Sequence, residues 1–134
     1  MGTQIRRMGG PGSGQHAKMA NQIAIAGAVA GVAEAIAYAR RVGLDLEELL
    51  AGISQGAAGS WQLQNNGAKM AAGDMAPGFF IKHYVKDMRI AQEESESRGL
   101  ALPVLQKVLR QFQALEARGL GEAGTQALIQ YYEA

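Results

Sequence analysis

The segment Gly12, Ser13, Gly14, Gln15, His16, Ala17, Lys18, Met19, Ala20, Asn21, Gln22 sets one lysine and two amides at the head of an Ala-rich apolar stretch, just behind a glycine loop. At roughly 100° per residue, Asn21, Gln22, Ile25, Val29, Val32 and Ile36 all fall within about 60° of Lys18. The polar trio therefore heads the stripe that faces a core, and the pattern predicts an inward Lys18. Desolvation and the positive end of the helix dipole both disfavour an ammonium there. Such a lysine is suited to take up and release a proton as a general acid or base. The plainer outcome of the same spacing is a lysine whose stem lies on apolar surface and whose head stays in water.

The elements that must position this trio are all helical. The first runs from about Gln15 to Arg41, roughly 40 Å at 1.5 Å per residue, and Gly43 suits a left-handed C-terminal cap. Asp45 with Glu48 has the logic of a capping box and starts a short helix through about Gln55, which Gly56 and Gly59 break. Ser60 can cap a third helix from Trp61 to about Ala72, followed by a turn-rich loop from Gly73 to Gly78. A fourth runs from about Phe80 to Arg98. Pro103 fits the first turn of a fifth that ends near Gly119, and Gly121 and Gly124 precede a last short helix ending at Tyr131 and Tyr132. With no alternating strand pattern and no internal repeat, the expectation is an all-α fold, a single helical domain around a long central helix.

Composition narrows the function classes. At 134 residues there is room for one core. A net charge of +1 without a long basic run argues against a nucleic-acid partner. Cysteine is absent, and His16 and His83 are far apart without a carboxylate cluster at ligand spacing, so no metal site is expected. The stretch from Ile23 to Ala39 is apolar, yet it is built from Ala, Gly, Ile and Val, contains Glu34 and follows two amides; a buried helix is expected rather than a membrane span. Met1 to Met8 holds no apolar run of the signal-peptide kind, and a cytoplasmic location is the default.

In the fourth helix Phe80, Tyr84, Met88 and Ala91 make an apolar stripe, while Lys82, Lys86, Arg89 and Glu93 lie on the other side as a solvated face. Phe79 reads as core by residue type alone. On the first helix, Ile23, Ala26, Ala30, Ala33 and Ala37 lie away from the Lys18 stripe, and one small domain is expected to leave part of so apolar a circumference for a second copy to cover.

Gly12 to Asn21 resembles the Gly-x-Gly-x-x-x-Lys-x-x-Asn motif of the β-hydroxyacid dehydrogenase family, which includes 3-hydroxyisobutyrate dehydrogenase and tartronate semialdehyde reductase and is related to 6-phosphogluconate dehydrogenase. Lys86 to Ala91 resembles the family's second signature, Lys-Asp-x-x-x-Ala, with Pro77, Gly78 and Phe79 ahead of it. The turn Gly56 to Ser60, and Gly119 to Gly121 before Tyr131, Tyr132 and Glu133, are similar to further family features, so the resemblance runs nearly the length of the chain.

The resemblance implies a helical fold like the C-terminal domain of 6-phosphogluconate dehydrogenase, with Lys18 as catalytic acid/base and Asn21, Gln22 and Phe79 as substrate contacts. It also implies Lys86 and Asp87 on the cofactor side, with Lys86 near the nicotinamide end, and NAD or NADP as cofactor. Gln22 departs from the pattern, standing where several members have a second asparagine. Asn21, where the phosphogluconate enzymes have histidine, disfavours a sugar-phosphate substrate.

Gly9 to Gly14 has no hydrophobic strand before it and no βαβ unit around it, so it is not a dinucleotide fingerprint. Residues 1–13 read as the start of the chain and an interdomain connection, and 14–134 as the C-terminal helical domain, with an N-terminal Rossmann domain as partner and a homodimer or higher homo-oligomer as the assembly. Two other classes share these features: an imine reductase, whose members generally replace the lysine, and a non-enzymatic helical oligomerisation module.

Overall fold

The computed structural model describes residues 13–133, and the connection expected over 1–13 lies outside it except for residue 13. The spine is a 30-residue helix, α1 (Ser13–Val42). Ser13 and Gly14 are already helical, so the helix begins two residues before the Gln15 start expected from sequence. α1 stops where Gly43 takes a positive φ of 83° and Leu44 N–H bonds back to the Ala39 carbonyl, a conformation that glycine adopts without Cβ strain. Asp45 then caps α2 (Leu46–Ile53) by accepting from the Glu48 N–H at 3.0 Å. Ser60 Oγ accepts from the Leu63 N–H, opening a wide π-helical segment, Gln62–Gly67, that continues into α3 (Ala68–Ala72). α4 (Ile81–Ser97) follows, then α5 (Pro103–Leu115), a second π-helical segment over Glu116–Leu120 and a terminal 3₁₀ helix, Thr125–Tyr132. Among the described residues the one β pairing is an isolated bridge, Phe80 with Gly124. The fold is all-α around a long central helix.

Ala26, Val29, Val32, Ala33 and Ile36 of α1 are buried against Tyr84 and Met88 of α4, Leu105, Val108 and Phe112 of α5, and Leu128 and Ile129 of the terminal helix, in one continuous cluster. Ala26 and Ala33 are fully buried, whereas Ile23, Ala30 and Ala37 of the same face are half-buried. The terminal 3₁₀ helix and the Gln62–Gly67 segment pack on α1 in addition to α4 and α5. By length and composition the helix is apolar enough to cross a membrane, its most apolar 18-residue window having a mean hydropathy of 1.5; Val29, Val32 and Ile36 within it are buried in this core.

The loop ahead of α4 is pinned from the far end of the chain. Gln126 is buried, and its Nε2 donates to the carbonyls of Asp74 at 2.9 Å and Ala76 at 2.7 Å. Gly124 N–H donates to Met75, and Thr125 N–H to Phe79. Gly124 is required by the same packing, since a Cβ there would lie 2.3 Å from Gln126 Oε1. These bonds fix the entry into α4, whose buried face gathers Ile81 and Val85 as well as Tyr84, Met88 and Ala91. Phe80 is the N-cap residue, half-buried at the edge of that face.

Candidate functional site

The first turns of α1 and the middle of α4 enclose a groove of about 230 Å³, lined by Gln15, Lys18, Met19, Gln22, Asp87 and Ile90. Lys18 lies on it with an exposed side chain, so the expected inward lysine is corrected. Its angular position is right, because Gln22, Val29 and Ile36 of the same stripe are buried. Its axial position is not: from Gly14 onward Gln22 is the first buried residue of α1, and Lys18 sits one turn beyond the packed core.

Gln22 is the centre of the site. Its Nε2 donates to Asp87 Oδ2 at 3.0 Å, its Oε1 accepts from Asn21 Nδ2 at 3.3 Å, and its backbone carbonyl accepts from the Tyr84 hydroxyl at 2.7 Å. Burial, and secondarily the charge of Asp87, raise the Tyr84 hydroxyl well above its ordinary range, so it stays protonated and keeps donating. The Tyr84 ring packs edge-on to Phe79 at 5.7 Å and to Phe112 at 5.5 Å.

Of the residues named from sequence, Lys18, Gln22 and Asp87 therefore meet in one groove, and Asn21 joins through Gln22. Phe79 is 40% exposed rather than core and does not line the groove; it reaches the site through the Tyr84 ring. Lys86, next to Asp87 on α4, is exposed and is not a lining residue either. Asp87, which the resemblance places on the cofactor side, accepts from the Gln22 amide. Tyr84, placed by the sequence only in an apolar stripe, joins the site through its hydroxyl; a buried tyrosine needs such a partner, which is the signal its position in the stripe carries.

A larger groove of about 380 Å³ lies between α1 and α5 and includes Gly27, Gly31, Glu34, Gln111 and Tyr132. Gln111 Nε2 donates to the Tyr132 hydroxyl, which donates to Glu34, while Gln111 Oε1 is buried without a partner among the described residues. It contains none of the residues of the two signature segments, and side-chain chemistry rather than volume favours the smaller groove. Among the described residues no three His, Cys, Asp or Glu side chains are grouped to hold a metal.

Residues 12–132 match the family model described as the NAD-binding part of NADP-dependent 3-hydroxyisobutyrate dehydrogenase. An uncharacterised oxidoreductase of Bacillus subtilis is 47% identical over 132 residues, 98% of this chain and 46% of that protein. A probable mitochondrial 3-hydroxyisobutyrate dehydrogenase-like protein of Arabidopsis thaliana is 43% identical over 126 residues, covering 94% of this chain and 38% of its own length. The crystal structure of a 3-hydroxyisobutyrate dehydrogenase from Salmonella typhimurium superposes with a TM-score of 0.83 at 28% identity, over 90% of this chain and 42% of that one. The chain thus spans less than half the length of these relatives.

Proposed function

This chain belongs to the NADP-dependent 3-hydroxyisobutyrate dehydrogenase family, and on that premise we propose that it is the helical half of a two-domain oxidoreductase interconverting a small β-hydroxy acid and its semialdehyde or keto form with NAD or NADP. The observation that carries this reading is the meeting of Lys18, Gln22 and Asp87 around one groove of about 230 Å³. That volume is below the range of about 300–1,000 Å³ typical of larger ligands and suits a small acid. A dinucleotide is larger than this groove, and the exposed Lys86 would be free to hold part of it from outside the groove.

Lys18 is the proton carrier in this mechanism. As a neutral amine it removes the hydroxyl proton in the direction of oxidation; as an ammonium it returns a proton to the developing alkoxide in reduction. The bound nicotinamide supplies the hydride acceptor or donor. Asn21 and Gln22 hold the substrate by hydrogen bonds whose loss leaves polar groups unpaired, the basis of discrimination at such sites, and Phe79 supports the site through its contact with the Tyr84 ring. Because the head of Lys18 is exposed in this chain, the Rossmann half closing over the groove is what excludes water from it. The same reading places the protein in the cytoplasm as a homodimer or higher homo-oligomer.

The test is a nicotinamide absorbance assay of the full-length protein on a panel of small β-hydroxy acids and, separately, cyclic imines. Turnover of a hydroxy acid is expected. Turnover of imines alone would assign the protein to the reductase class instead.

A further inference from the structure

We propose that Asp87 and Tyr84 are positioning residues that set the direction of the Asn21 amide through Gln22. An ionised carboxylate only accepts hydrogen bonds, so Gln22 must turn its Nε2 toward Asp87 Oδ2, the contact made at 3.0 Å. Its Oε1 then faces the other way and accepts from Asn21 Nδ2 at 3.3 Å. The two orientations of an amide have nearly the same shape, and only its hydrogen-bonding neighbours choose between them. Here the charge on Asp87 makes that choice for Gln22, and Gln22 passes it to Asn21.

The backbone of Gln22 is held from the same helix. Tyr84 and Asp87 are three residues apart on α4 and share a face; the tyrosine bonds the carbonyl of Gln22 while the carboxylate bonds its side chain. This explains why the chain carries glutamine here. Asparagine would be shorter by one carbon–carbon bond, about 1.5 Å, and would leave Asp87 and Asn21 unlinked. What Asn21 keeps for a ligand is its Oδ1 acceptor and the second N–H of its Nδ2. That pair complements a hydroxyl group, which both donates and accepts. This consequence rests on Asn21 being a substrate contact; the relay itself does not.

The relay is tested in this chain by ¹⁵N–¹H spectra of the side-chain amides. Asp87→Ala should shift the Gln22 and Asn21 amide resonances together and speed their exchange with water. Asp87→Asn, which can bond Gln22 in either sense, should split the Asn21 amide into two environments while far-UV circular dichroism stays unchanged. Asn21 resonances that stay in place in both variants would overturn the proposal. In the full-length enzyme, Asp87→Asn should raise KM for the hydroxy acid about tenfold while changing kcat less; a loss in kcat alone would contradict a positioning role. The amide spectra do not depend on turnover, so a failure of the dehydrogenase reading and a failure of the relay are separable.

Discussion

The Tyr84 hydroxyl donates to the backbone carbonyl of Gln22 at 2.7 Å, joining the helix that carries Lys18 to the helix that carries Asp87 across 62 positions of sequence. The hydroxyl is buried and its pKa is raised above the ordinary tyrosine value of about 10. The folded state therefore holds this proton at pH values where the unfolded chain releases it. Its stabilising contribution is complete below about pH 10 and is lost progressively as pH rises above it. Tyr84→Phe should cost about 1 kcal/mol at neutral pH, the usual worth of one such bond. It should also flatten the alkaline loss of stability, which urea titrations at about pH 7 and about pH 11 would show.

Gly59 is packed so that a Cβ would fall 2.2 Å from the Ser54 carbonyl oxygen, a backbone atom that cannot swing aside. Gly59→Ala is expected to destabilise the fold by about 1–3 kcal/mol. Gly31, mid-helix in α1 with nothing within 4 Å of its Cβ position, is the control. Gly31→Ala should be stabilising by roughly 0.5–1 kcal/mol. Thermal melts of the two variants should move in opposite directions.

Gln126 anchors the loop that leads into Phe79 through its bonds to Asp74 and Ala76. Gln126→Met keeps the bulk and leaves both carbonyls without this donor, a cost of about 1–3 kcal/mol. Amide hydrogen exchange should rise in the 73–80 segment ahead of any change in α5. Uniform protection across both would show that the loop is held by other means.

The exposed apolar residues Tyr38, Val42 and Leu44 gather at the C-terminal end of α1, and Trp61 is exposed as well. Large exposed apolar residues of this kind mark association surfaces, and α2, the helix that follows, has no buried residue of its own. Light scattering coupled to size exclusion at micromolar concentration is expected to give the mass of two chains; the mass of one chain would exclude dimerisation through this half.

Much of the architecture was legible because it is written locally. Asp45, Ser60 and Pro103 announce the starts of three helices, Gly43 and Gly73 end two, and the Ala-rich period of α1 marks its buried face. Lys18 shows the limit of such patterns. Periodicity gives the angle of a side chain about a helix, not its depth along the axis relative to the elements that cover it. The bonds from Asp87 and Tyr84 to Gln22 were hidden for a different reason: they span 65 and 62 positions, and no local rule pairs residues that far apart. Two of the elements that pack on α1 are a 3₁₀ helix and a π-helical segment, geometries that have no strong periodic signature.

Lys18 moves the proton in the proposed reaction, and kcat of Lys18→Ala in the full-length enzyme measures that role, with Lys86→Ala beside it. Lys18→Ala should lower kcat by about 10² to 10⁴ with cofactor affinity little changed, whereas Lys86→Ala should weaken the cofactor and spare kcat. A Lys18→Ala enzyme that keeps its kcat and loses only cofactor affinity would make Lys18 a cofactor-binding residue and not the proton carrier.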